Sequence, residues 1–210
     1  MEAIPLWEVR GGGDTLIGGL GTDSLFSFGD NNWLFAGKGD DIVQSDRNFG
    51  RSGTDTMFGD IGNDVLRGFD GNDLIFGNND QDEISGGNGN DTLYGGQGND
   101  NIDADDGNDL LFGDLGNDTM RGRNGNDQFV IGFGTDIIID YGLGTDSILL
   151  QGNITEADLE FVDGAEVNAG LNFRDDISIN LRSTGETLAI LADISLEEFN
   201  RIKIIQPLII

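Results

Sequence analysis

Between Gly50 and Val130 the chain repeats every nine residues. GRSGTDTMF, GDIGNDVLR, GFDGNDLIF, GNNDQDEIS, GGNGNDTLY, GGQGNDNID, ADDGNDLLF, GDLGNDTMR and GRNGNDQFV follow one another without a gap. A fixed period restricts a chain to architectures in which like units stack. Position 1 of the block is nearly always Gly, position 4 usually Gly, position 6 always Asp and position 8 always apolar. Blocks in the same register begin upstream at Val9, Gly18, Ser27 and Ala36, and an insertion, Ser45–Phe49, then breaks the count. Downstream, Ile131–Ile139 still fits, and Tyr141–Leu149 is a fading echo one residue out of step. Position 8 reads Leu16, Leu25, Leu34, Val43, Met57, Leu66, Ile75, Ile84, Leu93, Ile102, Leu111, Met120, Phe129 and Ile138. In a chain that is 37% hydrophobic, chance would produce such a column about once in a million. Position 8 is therefore the expected core.

The block also predicts local structure. Positions 1 to 6 read as a turn, because Gly supplies positive φ angles and Asn and Asp tolerate them. Positions 7 to 9 are often β-branched or aromatic and read as a short strand with position 8 inward and 7 and 9 outward. Two blocks then make one flattened coil, and coils stack as two parallel sheets. Two blocks depart from the rule: Ser27–Phe35 has Asp30 at position 4 and Asn32 at position 6, and Gly77–Ser85 has Asp80 at position 4 but keeps Asp82. The insertion enters before a turn and should bulge from a corner.

The repeat domain spans 9–139. Residues 1–8, with Ile4, Leu6 and Trp7, form either a plug on the first coil or a tail. From about Asp140 the period gives way to short apolar runs at Ile148–Leu150, Leu159–Val162, Ile177–Leu181, Thr187–Leu191 and Arg201–Ile205, which suggest antiparallel strands. Thr155–Leu159 and Ser195–Phe199 open like short helices. A solenoid must cover its last open edge, so 140–210 is read as a β-rich cap.

Charge narrows the function. With 39 acidic and 11 basic residues the formal net charge is −28. Such a chain does not seek nucleic acid or an anionic membrane, and it resists compaction unless something cationic neutralises it. It has no Cys and no His, which removes disulfides, thiol chemistry, the usual general base and the usual zinc or copper ligand. No apolar run approaches the roughly 20 residues of a membrane span. The N-terminus MEAIPLWEVR lacks the pattern of a Sec signal peptide. An enzyme is not expected, because the acids belong to the repeat and no nucleophile–base pair is visible.

Position 6 supplies the candidate chemistry: Asp14, Asp23, Asp41, Asp55, Asp64, Asp73, Asp82, Asp91, Asp100, Asp109, Asp118, Asp127 and Asp136. In a stack these carboxylates form two columns with a spacing of about 4.8 Å. Bare, the columns repel themselves; a hard divalent cation between turns removes the repulsion. Carboxylates and glycine-turn carbonyls, without nitrogen or sulfur, are the ligand set of calcium, whereas magnesium prefers to keep its waters.

The blocks resemble the RTX (repeats-in-toxin) nonapeptide GGxGxDxUx, and GGNGNDTLY fits it at every position. The stretch NDQFVIGFGTDIIIDYGLGTDSILL, followed by STGETLAILADIS, is similar to the tail of haemolysin-type calcium-binding proteins, many of them cyanobacterial. The resemblance implies an all-β, right-handed parallel β-roll with two nonapeptides per coil. It also implies a ligand set for each gap between coils: the carbonyls of positions 2 and 4 and the Asp of one turn, and the carbonyls of positions 1 and 3 and the Asp of the next. Between Gly86–Asp91 and Ala104–Asp109 these are Gly87, Gly89, Asp91, Ala104, Asp106 and Asp109. Between Gly95–Asp100 and Gly113–Asp118 they are Gly96, Gly98, Asp100, Gly113, Leu115 and Asp118. The gaps that Asn32 shares with Asp14 and Asp55 depart from the pattern. About ten Ca²⁺ ions would move the net charge from −28 to about −8, the range of ordinary soluble proteins. Proteins of this type are secreted through type I secretion and fold outside the cell.

Position 9 carries a second period. Odd blocks, counted from Val9, give Ile17, Phe35, Phe58, Phe76, Tyr94, Phe112 and Val130, and even blocks are largely polar. One outer face is therefore an apolar ladder. It is either a contact surface, making this a polysaccharide- or protein-binding adhesion module within a larger secreted protein, or a column that stabilises itself by stacking. Ice binding wants a flat Thr/Asn ladder, which the irregular position 3 does not supply.

Overall fold

The computed structural model describes residues 6–29, 31–45, 53–139, 144–150, 154, 156–163, 177–191 and 203–205. Among them there is no α-helix, only a 3-10 turn at Glu156–Asp158. One sheet contains β1 (Leu6–Arg10), β3 (Ser24–Phe28), β5 (Ile42–Gln44), β7 (Val65–Asp70), β9 (Glu83–Asn88), β11 (Asn101–Asp106), β13 (Thr119–Arg121) and β15 (Asp136–Ile138), followed by β19 (Thr187–Leu191), β18 (Ile177–Leu181) and β17 (Leu159–Asp163). The other contains β2 (Thr15–Leu20), β4 (Trp33–Lys38), β6 (Thr56–Ile61), β8 (Leu74–Asn79), β10 (Thr92–Gln97), β12 (Leu110–Leu115), β14 (Gln128–Ile131), β16 (Ser147–Leu150) and β20 (Lys203–Ile205). From β1 to β16 the chain alternates between the sheets, and through β14 each strand pairs in parallel with the one two places on. This is a parallel β-roll with two nonapeptides per coil.

The register follows the sequence period. Leu93 sits between Ile75 and Leu111, eighteen residues away on each side. Across the insertion the pairing lengthens without slipping: Leu34 faces Met57 and Val43 faces Leu66. Of the inserted residues only Ser45 lies within the described part of the chain. All fourteen position-8 residues are buried, from Leu16 at 4% exposure to Leu25 and Leu111 at 0%. Burying each of these side chains contributes about 1.5–3 kcal/mol against the cost of ordering the coil.

Most of the repeat strands are longer than the three residues expected, although β5, β13 and β15 keep that length. β8 to β12 each run from position 7 of one block through position 3 of the next. Position 2 adopts the expected positive φ, yet the ladder continues through it. The φ angles are 115° at Gly87, 106° at Gly96 and 68° to 79° at Asp60, Phe69, Asn78, Asp105, Asp114 and Arg123. The kink falls beside position 1, where the pairing jumps from Tyr94–Phe112 to Gly96–Asp114. Position 1 points inward like position 8, which leaves positions 4 to 6 as the turn proper.

The last strands meet the antiparallel expectation only in part. β17 with β18 and β18 with β19 pair antiparallel, but β19 joins β15 in parallel, with Ile137 facing Ile190. β16 and β20 also add in parallel, extending the other sheet. The turn expected near Thr155–Leu159 is the 3-10 turn; Ser195–Phe199 and residues 1–5 lie outside the described residues.

Candidate metal centre

The turns place position 6 at the edge of each coil. Its backbone N–H donates to the carboxylate Oδ1 of the Asp one coil further on. On one edge, Asp64 donates to Asp82 at 2.8 Å, Asp82 to Asp100 at 2.9 Å and Asp100 to Asp118 at 2.8 Å. On the other, Asp55 donates to Asp73 at 2.8 Å, Asp73 to Asp91 and Asp91 to Asp109 at 2.7 Å, and Asp109 to Asp127 at 2.9 Å. Asp23, Asp41 and Asp136 continue the first column, and Asp14 begins the second. The column carboxylates are nearly sealed from solvent, with exposures of 4% or less from Asp23 to Asp136; Asp14, at the end, is half-buried. The columns were legible residue by residue. Asp146 was not assigned to them, although it accepts the Asp127 N–H at 2.8 Å and is itself buried. The signal for it was the echo block YGLGTDSIL.

The second oxygen of each carboxylate has the opposite situation. Oδ2 of Asp41, Asp64, Asp82, Asp91, Asp100, Asp109 and Asp118 is buried without a hydrogen-bond partner. It lies beside the small residue at position 1 of its own turn and the position-1 carbonyl of the next coil. A Cβ built on Gly59 would stand 2.6 Å from Asp64 Oδ2 and 2.7 Å from the Gly77 carbonyl. The same cradle brings Asp91 Oδ2 together with the Ala104 carbonyl at Gly86, and Asp100 Oδ2 with the Gly113 carbonyl at Gly95. Gly at position 1 therefore serves close approach, whereas Gly89 and Gly98 at position 4 serve both φ angles of 129° and 150° and close approach, since a Cβ there would collide with the Gly71 and Asp80 carbonyls. Ala36 and Ala104 show that some turns accommodate a methyl at position 1. The position-3 carbonyls of Asp106 and Leu115 each accept a backbone N–H, from Gly89 at 2.7 Å and Gly98 at 2.9 Å, with one lone pair left over.

Two oxygens facing each other in a buried cradle are an unfavourable arrangement. Burial pushes the Asp41, Asp91 and Asp100 carboxyls up to about 6, Asp64 and Asp109 to about 7 and Asp82 to about 8. The N–H donated to each Oδ1 offsets part of this, and neighbours in the column (Asp64 and Asp100 beside Asp82) add to it. A proton or a cation relieves the conflict. Among the described residues no three acidic side chains converge to hold a metal. Each gap offers carboxylates only from the two turns that face it, so a cation there would complete its shell with carbonyls. An all-oxygen shell of mixed carboxylate and carbonyl fits calcium.

Position 5 was given no structural role in the sequence, and it has one. Its Asn side chains run the opposite way from the Asp column: Oδ1 of Asn72, Asn90 and Asn108 accepts the backbone N–H of Asn90, Asn108 and Asn126 at 2.7 to 2.9 Å. Each turn is thus tied forward by Asn and backward by Asp.

The outer ladder is a continuous stack. Phe35, Phe58, Phe76, Tyr94 and Phe112 are parallel within 11°, with ring centroids 4.3 to 5.0 Å apart, and Trp33 lies alongside at 6.2 Å from Phe35. The ring faces are covered by one another, leaving their edges outward. Sugar platforms need exposed ring faces, so this geometry favours the self-stacking column over a polysaccharide-binding surface.

Two columns of buried carboxylates on the edges of a nine-residue-period β-roll define a calcium-binding solenoid. The family model described as the RTX calcium-binding nonapeptide repeat matches residues 10–43, 49–84, 76–111, 85–120 and 103–138, more than half of the chain. The chain belongs to the RTX calcium-binding repeat family. No curated protein matches it.

Proposed function

We propose that the protein is a secreted, non-enzymatic calcium-binding module whose β-roll folds as calcium fills the gaps between successive turns. The row of buried Oδ2 atoms without hydrogen-bond partners is the observation that carries this reading. In the gap above Asp91, the ion is held by Asp91, Asp109 and the carbonyls of Gly87, Gly89, Ala104 and Asp106. In the gap above Asp100, it is held by Asp100, Asp118 and the carbonyls of Gly96, Gly98, Gly113 and Leu115. The ion supplies positive charge between oxygens that otherwise repel. About ten such gaps bring the chain's charge into the ordinary range, and sites of this kind suit extracellular calcium, with dissociation constants on the order of 10⁻⁴ to 10⁻³ M. Export without calcium would keep the acidic chain extended until it leaves the cell. Residues 140–210 act as the cap on the last coil, extending both sheets beyond the repeats.

The test is far-UV circular dichroism of the full chain across a calcium titration, starting in chelator at pH 7.5. A cooperative rise of β signal is expected, and magnesium at equal concentration should not reproduce it. Full β structure in excess chelator would reject calcium-coupled folding.

A further inference from the structure

The turn containing Asn32 shows what the cradle requires when no carboxylate is present. Asn32 is fully buried at position 6 of its block. Its Oδ1 accepts the Asp14 N–H at 3.0 Å, as an Asp would, and its own N–H donates to Asp55 Oδ1 at 2.5 Å. The other end of the side chain behaves differently: Nδ2 donates to the Gly29 carbonyl at 2.5 Å. The amide orientation is fixed by these partners, because the reverse would set donor against donor and acceptor against acceptor. A carboxylate of the same shape would place an oxygen against the Gly29 carbonyl. The same turn also replaces the position-1 glycine with buried Ser27, whose Cβ occupies the cradle. One coil on, Ser45 stands at position 1 of the same column, stacked on Gly68, and its Oγ donates to the Gly68 carbonyl at 2.7 Å.

We infer that Asn32 takes the place of an ion: the gap that it shares with Asp14 is closed by its side-chain hydrogen bonds and binds no calcium. This rests on the calcium reading of the other gaps. An amide N–H directed into the cradle repels a cation while satisfying the carbonyl that a cation would otherwise hold. The two edges of the roll are therefore unequal. The column from Asp23 to Asp136 is an unbroken run of carboxylates. The column that begins at Asp14 opens with a hydrogen-bonded stretch that keeps its geometry without metal, a ready-made turn on which the calcium-dependent coils can stack.

Native mass spectrometry of the full chain in saturating calcium tests this, with dichroism on the same samples to confirm folding. Asn32→Asp is expected to bind at least one more ion than the wild type, and Asn32→Ala the same number. An unchanged count in folded Asn32→Asp, or a lower count in Asn32→Ala, overturns the inference. If Asn32→Asp does not fold in calcium, the count for Asn32→Ala decides alone. A wild type that binds no calcium would sink the underlying calcium reading instead, a result distinct from either.

Discussion

Asp91 separates the hydrogen-bonding role of the column from its cation-binding role. It lies mid-roll, 2% exposed, with Oδ1 accepting the Asp73 N–H at 2.7 Å and Oδ2 beside the Ala104 carbonyl. Asp91→Asn keeps the first contact and removes only the charge. Asp91→Ala also strands the buried Asp73 N–H, a cost of about 1–3 kcal/mol. Asp91 faces two gaps, toward Asp73 and toward Asp109. With calcium at about one hundred times the dissociation constant each ion stabilises by about 2.7 kcal/mol, so losing both costs about 5 kcal/mol. In calcium, urea unfolding should show Asp91→Asn down by about 5 kcal/mol and Asp91→Ala by about 6–8 kcal/mol. In chelator the Asn variant should be no less ordered than the wild type, because a buried charge is gone. Asp14→Ala, at the half-buried end beside Asn32, should barely move the calcium midpoint. An Asn variant as stable as the wild type in calcium, or equally weakened with and without it, would refute the reasoning.

Other consequences follow from the same geometry. The folded carboxyls of Asp64, Asp82 and Asp109 titrate near 7, 8 and 7, above their ordinary value, so the metal-free fold is favoured by protons. In chelator, β structure should be greatest below about pH 4 and fade as pH rises through 6 to 8, while the calcium midpoint should climb on acidification. Dichroism at several pH values, with and without calcium, checks both, and a chelated protein indifferent to pH would contradict them. Tyr94 lies 4.8 Å from Phe76 and 4.3 Å from Phe112, so Tyr94→Ser should cost about 1–3 kcal/mol for the two stacks alone. Urea unfolding in calcium measures it, and no loss would mean that the ladder contributes nothing to stability. Asn108→Ala removes the acceptor for the Asn126 N–H at 2.9 Å and should cost about 0.5–1.5 kcal/mol in calcium, with an unchanged ion count.

The period made much of this molecule readable. An apolar residue at every ninth place has to face inward, and position 8 does so from Leu16 to Ile138. The Asp columns were readable for the same reason, since pairing at a fixed offset stacks equal positions. The direction of the hydrogen bonds was not. Asp reaching back and Asn reaching forward are both compatible with the ND pair, and only the folded structure distinguishes them. Position 1 was read as a turn glycine because composition does not separate a residue chosen for φ from one chosen for close approach. The pairing of Ile137 with Ile190 was hidden because strands far apart in sequence, outside the repeat, share no period. Asn32 was visible as a departure, but its meaning lay in the Gly29 carbonyl opposite its Nδ2.

The central claim is that cations lie between stacked turns, in line with the buried carboxylates. Anomalous diffraction from crystals grown in calcium, collected at a long wavelength, tests it most directly. Two rows of peaks are expected along the edges of the roll, about 4.8 Å apart, each between successive column carboxylates such as Asp91 and Asp109, with none between Asp14 and Asn32. Peaks confined to exposed acids such as Asp40 and Asp106, with the column gaps empty, would contradict the account.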